Sequence, residues 1–145
     1  MYKYVRAMST TLKDIKNFIA DASYQVDHHI IKLLLFPRSR DYNHWKQEIF
    51  SFIHDVDKVK STNKWPQQHV ILECLACHND VLDNYRITVE DEYEDLIPIP
   101  VTNDDILHAI EDYQLFLAEG LSRNGLVRRA DVYNMLDDIV SKYSV

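Results

Sequence analysis

The chain has 145 residues and a mass of 17.1 kDa, a length that fits one domain of roughly 100 to 200 residues. Hydrophobic residues make up 46%, charged residues 27% and the formal net charge is -7, which together exclude a disordered or low-complexity chain. The 2 Gly and 4 Pro are too few for the many turns of an all-β protein. We therefore expect one all-α domain over residues 1–145, an irregular bundle of five to six amphipathic helices.

Apolar residues recur at spacings of three and four along two long segments, which is the pattern of amphipathic helices. The first predicted helix begins after Thr10 or Thr11, either of which can cap it. It ends near Phe36, because Pro37 disfavours helical geometry in the residue before it. Asp41, a residue type that favours the N-cap position, is expected to start the second helix.

The middle of the chain is expected to hold one long and one short helix. A polar loop over residues 60–64 precedes Pro66, which can open a third helix at its first turn. Near-periodic apolar positions carry this helix to about Tyr85. Thr88 followed by Asp91 resembles a capping box and predicts a separate short acidic helix.

Two prolines interrupt the chain over residues 96–101, so this segment is expected to be extended rather than helical. It is the one strand candidate of the sequence, and its prolines argue against a sheet. Thr102 or Asn103 is expected to cap the next helix and Gly120 to end it. After an Asn-Gly turn, a last helix is predicted over about residues 126–142.

The distribution of apolar residues along the chain predicts neither a secretion signal nor a membrane span. The N-terminal residues lack the apolar stretch typical of a signal peptide, and no segment reaches 18 uninterrupted apolar residues. Two cysteines without a secretion signal are typical of a reducing compartment. We therefore expect a cytoplasmic protein with no membrane partner.

The net charge is spread unevenly along the chain. Residues 1–72 hold 11 Lys and Arg against 7 Asp and Glu, whereas residues 73–145 hold 5 against 16. Between Ile87 and Ser122 there are ten acids and no Lys or Arg. Charge of one sign repels itself, so a chain that keeps it either solvates it or uses its field. Such a field repels nucleic acid.

This acidic stretch is the predicted partner-binding surface. On the predicted helix after residue 102, its acids recur about every seven residues and therefore stack along one side of the helix. Two tyrosines interleave with them, and tyrosine is enriched in protein interfaces. The predicted partner-binding residues are Glu90, Asp91, Glu92, Tyr93, Glu94, Asp95, Asp104, Asp105, Glu111, Asp112, Tyr113 and Glu119.

Such a surface favours a basic protein partner, which it would attract in a fast and salt-sensitive association. In general character, as a small, acidic, helical and Tyr-rich chain, the sequence resembles the immunity proteins of colicin and contact-dependent inhibition systems. That resemblance implies an immunity protein or antitoxin that neutralises a toxin domain, such as a basic nuclease, without catalysis and without a cofactor. A merely solvated acidic face is the alternative.

An enzyme is the second hypothesis, and it rests on Arg38, Arg40 and His44. Residues 38–44, with the sequence RSRDYNH, resemble the R-x(4–6)-H motif of the HEPN family of all-helical nucleases and nucleotide-binding proteins. The resemblance implies that an arginine orients a phosphate and that the histidine transfers a proton. The motif comes early in this chain, whereas that family usually carries it late. A solvated basic corner is the alternative.

The same region carries another resemblance, over residues 29–49. His29-Ile30-Ile31-Lys32, Pro37, Ser39-Arg40, Trp45 and Ile49 resemble the H-L-L-K, P, S-R, W and I positions of a bacterial all-helical family, domain of unknown function twenty-nine. The alignment needs a one-residue insertion. It supports a helix, a proline-containing loop and a second helix, and it implies no activity.

A metal or haem site is the third hypothesis. Residues Cys74, Cys77 and His78 match C-x-x-C-H, the attachment pattern of c-type haem, which needs two thiols and an adjacent imidazole. Among the seven histidines, His44 shares one face of the second predicted helix with Glu48, as zinc or iron ligands can. Within an amphipathic helix, however, cysteines are typically small buried apolar residues, and the histidines are expected to be ordinary half-buried side chains.

Overall fold

The computed structural model describes residues 11–61 and 64–144. Within them the chain forms six α-helices: α1 (Leu12–Leu35), α2 (Tyr42–Lys60), α3 (Gln68–Leu75), α4 (Leu82–Glu92), α5 (Asn103–Ser122) and α6 (Arg129–Tyr143). A 3₁₀ helix at Asn79–Val81 precedes α4, and these residues contain no strand. The prediction of an all-α bundle of five to six helices is confirmed. No helix of this part of the chain is long and apolar enough to cross a bilayer.

The central helix is α1, which packs against each of the other five. Fourteen of its 24 residues are buried, including an unbroken run from His29 to Leu35, and buried residues of all six helices join it in one hydrophobic core. At its start, the Thr11 hydroxyl accepts a hydrogen bond from the Asp14 amide at 3.1 Å, and the Asp14 carboxylate accepts one from the Thr11 amide at 3.3 Å. This capping box confirms the prediction for Thr11. Thr10 lies outside the described residues.

The turn between α1 and α2 follows the sequence closely. The last residue of α1 is two positions before Pro37, as the restriction imposed by proline predicts. Asp41 directly precedes α2, but its carboxylate makes no capping hydrogen bond, and its amide instead donates to the Ser39 hydroxyl at 3.1 Å. At the other end of α2, Lys60 is helical, and residues 62–63 of the predicted loop lie outside the described residues.

The third predicted helix is wrong in its extent. It begins at Gln68, two residues after Pro66, and ends at Leu75 instead of continuing to α4. Gln114 of α5 holds the break, because its amide donates to the Leu75 carbonyl at 2.9 Å and to the Asn79 side-chain oxygen at 2.8 Å. A buried glutamine thus satisfies a carbonyl that the next helical turn would otherwise have bonded.

The separate short acidic helix predicted from Thr88 and Asp91 is also wrong. Both residues lie inside α4, where the Thr88 hydroxyl donates to the Asn84 carbonyl at 3.1 Å. A threonine that bonds its own helix one turn back cannot cap a new one.

The proline-containing segment before α5 is extended, as predicted, and it crosses the end of α1. There the Ile99 amide donates to the Leu35 carbonyl at 2.8 Å. Thr102 caps α5 as predicted, since its hydroxyl accepts from the Asp105 amide at 3.0 Å. The N-terminus of α5 is therefore fixed beside the end of α1.

The loop between α5 and α6 depends on two glycines in different ways. Gly120 does not end α5 as predicted, because the helix continues to Ser122. Instead, the lack of a side chain at Gly120 lets Val127 of the loop pack closely against α5. A Cβ at this position would lie 3.3 Å from a methyl carbon of Val127, which is a tight contact. Gly125 has φ +89°, which confirms the predicted turn. The last helix begins at Arg129, three residues later than predicted.

Two side chains of α2 hold this loop, and we call them the Asp57–Lys60 clamp. The buried Asp57 carboxylate accepts a hydrogen bond from the Val127 amide at 2.7 Å. Lys60 donates to the carbonyls of Arg123 at 2.8 Å and of Gly125 at 2.7 Å. The clamp therefore fixes the path by which the chain enters α6.

Replacing Gly125 with alanine is expected to lower the free energy of unfolding by about 1–2 kcal/mol, because φ +89° is strained for a residue with a Cβ. Urea denaturation of the two proteins measures the difference. Asn124→Ala, an exposed position in the same turn, is the control and should change stability by less than about 0.5 kcal/mol. Equal stabilities of wild type and Gly125→Ala would contradict the turn geometry.

Candidate partner-binding surface

The predicted acidic stretch covers the end of α4, the turn after it and most of α5. All of its carboxylates lie exposed or half-buried at the surface: Glu90, Asp91 and Glu92 in the last turn of α4, Glu94 and Asp95 after it, Asp104 and Asp105 in the first turn of α5, and Glu111, Asp112 and Glu119 further along. Acids seven residues apart on α5 are separated by about 10 Å along the helix axis. They are thus available to a partner.

Four of these ten carboxylates pair with cations, all of which lie outside the cation-free segment. The pairs are Glu90 with Arg86 at 3.6 Å, Glu92 with Lys32 at 3.5 Å, Asp112 with Lys142 at 3.5 Å, and Glu119 with Arg123. Each carboxylate is more than a third exposed, so water screens the pairs and they add little stability. The stretch is therefore less isolated from positive charge than the sequence predicts.

The acidic stretch forms two regions instead of one face. Arg86 lies 3.6 Å from Glu90 and donates to the Asn103 side-chain oxygen at 2.9 Å, so the end of α4 and the start of α5 are neighbours. Asp112 and Glu119 lie about 10 and 21 Å further along α5 than the acids of its first turn. There Asp112 pairs with Lys142 of α6, and Glu119 pairs with Arg123, which directly follows α5.

Between α5 and α6 lies a groove of about 490 Å³, which we call the α5/α6 groove. Apolar side chains of Phe116, Met135 and Ile139 line it. Polar side chains also line it, from both helices and from the residue after α5: Asp112, Arg123, Asp131, Asn134, Asp138 and Lys142. Asp131 and Asp138 were not predicted as site residues. Their spacing of seven along α6 matches that of the acids on α5, and this was the available signal.

The charges of the α5/α6 groove do not cancel. Each of its cations already pairs with a carboxylate, Arg123 with Glu119 and Lys142 with Asp112. The side chains of Asp131 and Asp138 form no ion pair or hydrogen bond with any described residue. The groove therefore presents uncompensated negative charge beside apolar side chains, which is complementary to a basic, partly apolar segment.

The two tyrosines assigned to the surface differ in position. Tyr113 is 1% exposed, so its assignment to the partner-binding face is wrong, and burial raises the pKa of its hydroxyl well above the usual value. Tyr93 is half-buried: its ring centroid lies 5.4 Å from that of Trp45 and 5.8 Å from that of Phe36, and the Lys32 ammonium lies 5.4 Å from it. Tyr93 thus closes the edge of the core and leaves part of its ring at the surface.

The residues of the enzyme hypothesis lie around the turn between α1 and α2. Arg38 and Arg40 are exposed, and His44 has a side chain that is 63% exposed and pairs with Glu48. Arg38 lines a pocket of about 260 Å³, which neither Arg40 nor His44 lines. That pocket therefore does not unite the three residues, and the nuclease hypothesis stays a prediction.

The C-x-x-C-H residues lie where α3 ends. Cys74 is buried as expected, whereas Cys77 is exposed, and both are free thiols. Burial raises the pKa of both thiols, which disfavours the thiolate that a metal requires. In residues 11–61 and 64–144, no group of three or more His, Cys, Asp or Glu side chains is arranged to hold a metal ion. The hypothesis for Cys74, Cys77 and His78 gains no support from this geometry.

Glu48 of α2 lies between two histidines. Burial raises the pKa of Glu48, but the hydrogen bond with His29 acts in the opposite direction, and the pKa lies below its usual value. The carboxylate is therefore charged at neutral pH. One ring nitrogen of His29 lies 2.5 Å from a Glu48 carboxylate oxygen and the other lies 2.7 Å from the Gln25 carbonyl oxygen. His44 contacts the other carboxylate oxygen. The three side chains therefore form a polar cluster that links α1 to α2.

Sequence reasoning also missed Asp27 of α1. This residue is 0% exposed, and neither of its carboxylate oxygens has a hydrogen-bond partner within the described part of the chain. Burial raises its pKa well above the usual value. Burial and, to a smaller extent, the charge of Asp27 raise the pKa values of the adjacent Tyr85 and Cys77. A buried carboxyl without a partner is costly to keep, which marks this position for experiment.

No protein-family model matches the chain, and no curated protein or solved structure matches it either. The likeness of residues 29–49 to domain of unknown function twenty-nine stays a prediction. The functional proposal for this all-α bundle therefore comes from its surface geometry and charge.

Proposed function

We propose that this chain is a protein-binding domain that takes up a segment of a basic partner in the α5/α6 groove. In its more specific form, the proposal is a bacterial immunity protein or antitoxin that neutralises a basic toxin domain in the cytoplasm. The observation that carries it is the pair of unpaired carboxylates, Asp131 and Asp138, beside apolar side chains.

The α5/α6 groove supplies both components of a specific interface. Phe116 and Met135 are half-buried, so a partner's apolar side chain can cover them and gain about 25 cal/mol for each Å² removed from water. Lysine or arginine on either side of that apolar group would meet Asp131 and Asp138, which are two helical turns apart on α6. The apolar contact gives affinity, and the charges fix orientation and register.

The acids at the end of α4 act over a longer range. Asp91, Glu94 and Asp95 are exposed and form no ion pair with a described residue. Their electrostatic field attracts a basic partner to the α4–α5 side of the molecule. At physiological ionic strength salt screens this field, with a screening length of about 8 Å. Inhibition of a toxin by this route needs no chemical step on this chain, because the bound acids occupy the surface that the toxin offers to phosphates.

The double variant Asp131→Lys with Asp138→Lys reverses the two unpaired charges of the groove. It is expected to weaken partner binding about tenfold or more, because two carboxylates that attract a basic partner become two ammonium groups that repel it. The experiment immobilises the protein, passes a lysate of its own organism over it at low salt, and elutes with rising salt. A basic protein retained near one-to-one is then purified, and its affinity for each variant is measured by calorimetry.

The matched control carries the same charge change elsewhere. Asp21→Lys with Glu73→Lys alters two exposed acids of α1 and α3, far from the groove in the chain, and should bind as wild type does. Both double variants must first show melting temperatures within a few degrees of wild type. If the two double variants bind the partner equally well, or if the lysate yields no basic protein, the proposal is wrong.

A further inference from the structure

A second concave surface lies on another part of the molecule, beside the turn between α1 and α2. It is the pocket of about 260 Å³ that Arg38 lines, and we call it the Arg38 pocket. Its walls are otherwise mostly apolar and come from two segments: Leu35, Phe36 and Pro37 at the end of α1, and Leu96, Ile97 and Ile99 before α5. A pocket that is mainly apolar with a few polar groups is the usual form of a small-molecule site.

Hydrogen bonds hold both walls of the Arg38 pocket in place without a ligand. The Ile99 amide donates to the Leu35 carbonyl at 2.8 Å, which ties one wall to the other. The Ser39 amide donates to the Phe36 carbonyl at 3.1 Å and closes the turn. Leu35 and Phe36 are buried, whereas Ile97 is 93% exposed. The pocket is therefore preformed and retains apolar surface that a ligand would remove from water.

The polar groups of the Arg38 pocket favour an anion. Arg38 is exposed and forms no ion pair or hydrogen bond with any residue of 11–61 and 64–144, so its guanidinium is available as a two-pronged donor. The Ser39 hydroxyl accepts from the Asp41 amide at 3.1 Å, which leaves its own proton free to donate. Both groups offer donors, and a carboxylate offers the matching acceptors.

The negative end of α1 is largely neutralised at this place. Its final carbonyls would oppose an anion if they were free. However, the Lys32 carbonyl accepts from the Phe36 amide at 2.9 Å, the Leu34 carbonyl accepts from the Ser144 hydroxyl, and the Leu35 carbonyl is bonded as described above. Among the residues that line the pocket, Arg38 is the one with a charged side chain.

The size of the pocket sets the size of the ligand. A volume of about 260 Å³ is at the small end of ligand sites and favours a small molecule. We propose that the Arg38 pocket binds a small apolar carboxylate, with its carboxylate on Arg38 and Ser39 and its hydrocarbon part against Ile97 and Phe36. This site is separate from the α5/α6 groove, so it stands whether or not the proposed function does.

The test uses hexanoate as the probe, with 1-hexanol and hexylamine as probes of the same chain length but different charge. Amide chemical shifts of the labelled protein are followed during each titration. We expect hexanoate to shift the signals of Phe36, Ile97 and Ile99, and to bind at least about tenfold more tightly than the alcohol or the amine, as a charge-assisted hydrogen bond gives. Equal binding of hexanol, or shifts scattered over the surface, would overturn the proposal.

Two variants separate the charge from the apolar contact. Arg38→Gln should weaken hexanoate binding at least about tenfold and leave hexanol unchanged, whereas Arg40→Gln, the neighbouring arginine outside the pocket, should stay within about twofold of wild type. Ile97→Ser should weaken both probes by a similar factor, and its high exposure lets the fold tolerate it. If Arg40→Gln weakens hexanoate as much as Arg38→Gln does, the pocket is not the site.

A last comparison identifies the source of the carboxylate. N-acetyl-alanyl-leucine presents the same charge as the end of a polypeptide. The volume of the pocket predicts that hexanoate binds at least as tightly as this dipeptide. Tenfold tighter binding of the dipeptide would overturn the small-molecule proposal in favour of a polypeptide C-terminus.

Discussion

Replacing Asp27 with asparagine is expected to raise the free energy of unfolding at pH 7 by about 1–3 kcal/mol, since an ionisable group buried without a partner costs free energy in the fold. Asp27 is fully buried and its carboxylate has no hydrogen-bond partner among the described residues, so its charge is strongly disfavoured in the fold. Asparagine has nearly the same shape and cannot ionise. Urea denaturation at pH 7 measures the difference.

The pH dependence of this difference has a defined sign. In the unfolded chain the pKa of Asp27 is about 3.9, whereas burial raises it well above that value in the fold. Below pH 4 both states hold the proton, and the variant gains little. As the pH rises further, the unfolded chain releases its proton while the fold retains it, so wild type loses stability relative to the variant. The gain from Asp27→Asn should therefore grow between pH 4 and pH 7.

Asp21→Asn is the matched control, because Asp21 is an exposed aspartate on the same helix. Its stability should follow that of wild type within about 0.5 kcal/mol at both pH values. A loss of stability for Asp27→Asn at pH 7 would falsify the prediction.

The second large effect is expected at the Asp57–Lys60 clamp. Asp57→Ala should lower the free energy of unfolding by about 3 kcal/mol, because it leaves the buried Val127 amide without an acceptor and Lys60 without its carboxylate. Urea denaturation again provides the measurement. If the slope of the unfolding free energy against urea concentration equals that of wild type, the surface exposed on unfolding is unchanged.

Asp57→Asn distinguishes the hydrogen bond from the charge. Asparagine keeps an oxygen that can accept from Val127, and burial raises the pKa of Asp57, so the charge itself stabilises the fold little. We expect a loss below about 1 kcal/mol for this variant. Equal losses for asparagine and alanine at this position would mean that the ion pair with Lys60, and not the bond to Val127, holds the loop.

The helices were predictable where the determining residues are local. Thr11 and Thr102 cap their helices through bonds to amides three residues away, and Pro37 acts on its own neighbours. The break after α3 was not predictable, because the side chain that bonds the freed Leu75 carbonyl, Gln114, lies 39 residues away in the sequence. The same holds for Gly120, whose role depends on the approach of Val127 and not on the end of its own helix.

The candidate site was predictable only in part for the same reason. Sequence spacing indicates which acids of α5 share a side, and the spacing of four also allows Glu119 to pair with Arg123. The pairing of Asp112 with Lys142, in contrast, depends on where α6 packs. Tyr113 recurs with the apolar residues of α5, and that periodicity was a better guide to its position than its neighbouring acids were. Asp27 recurs with Ser23 and Ile30 on the buried side of α1, so a charged residue in an apolar pattern was the signal that was missed.

The Asp57–Lys60 clamp also has a kinetic consequence. Its hydrogen bonds join residues 63 to 70 positions apart, and contacts of such separation form slowly because a long loop must close first. Bonds that form after the folding barrier control the rate of unfolding far more than the rate of folding. Because Arg123 belongs both to the clamped loop and to the α5/α6 groove, the clamp sets how long the groove keeps its shape between encounters with a partner.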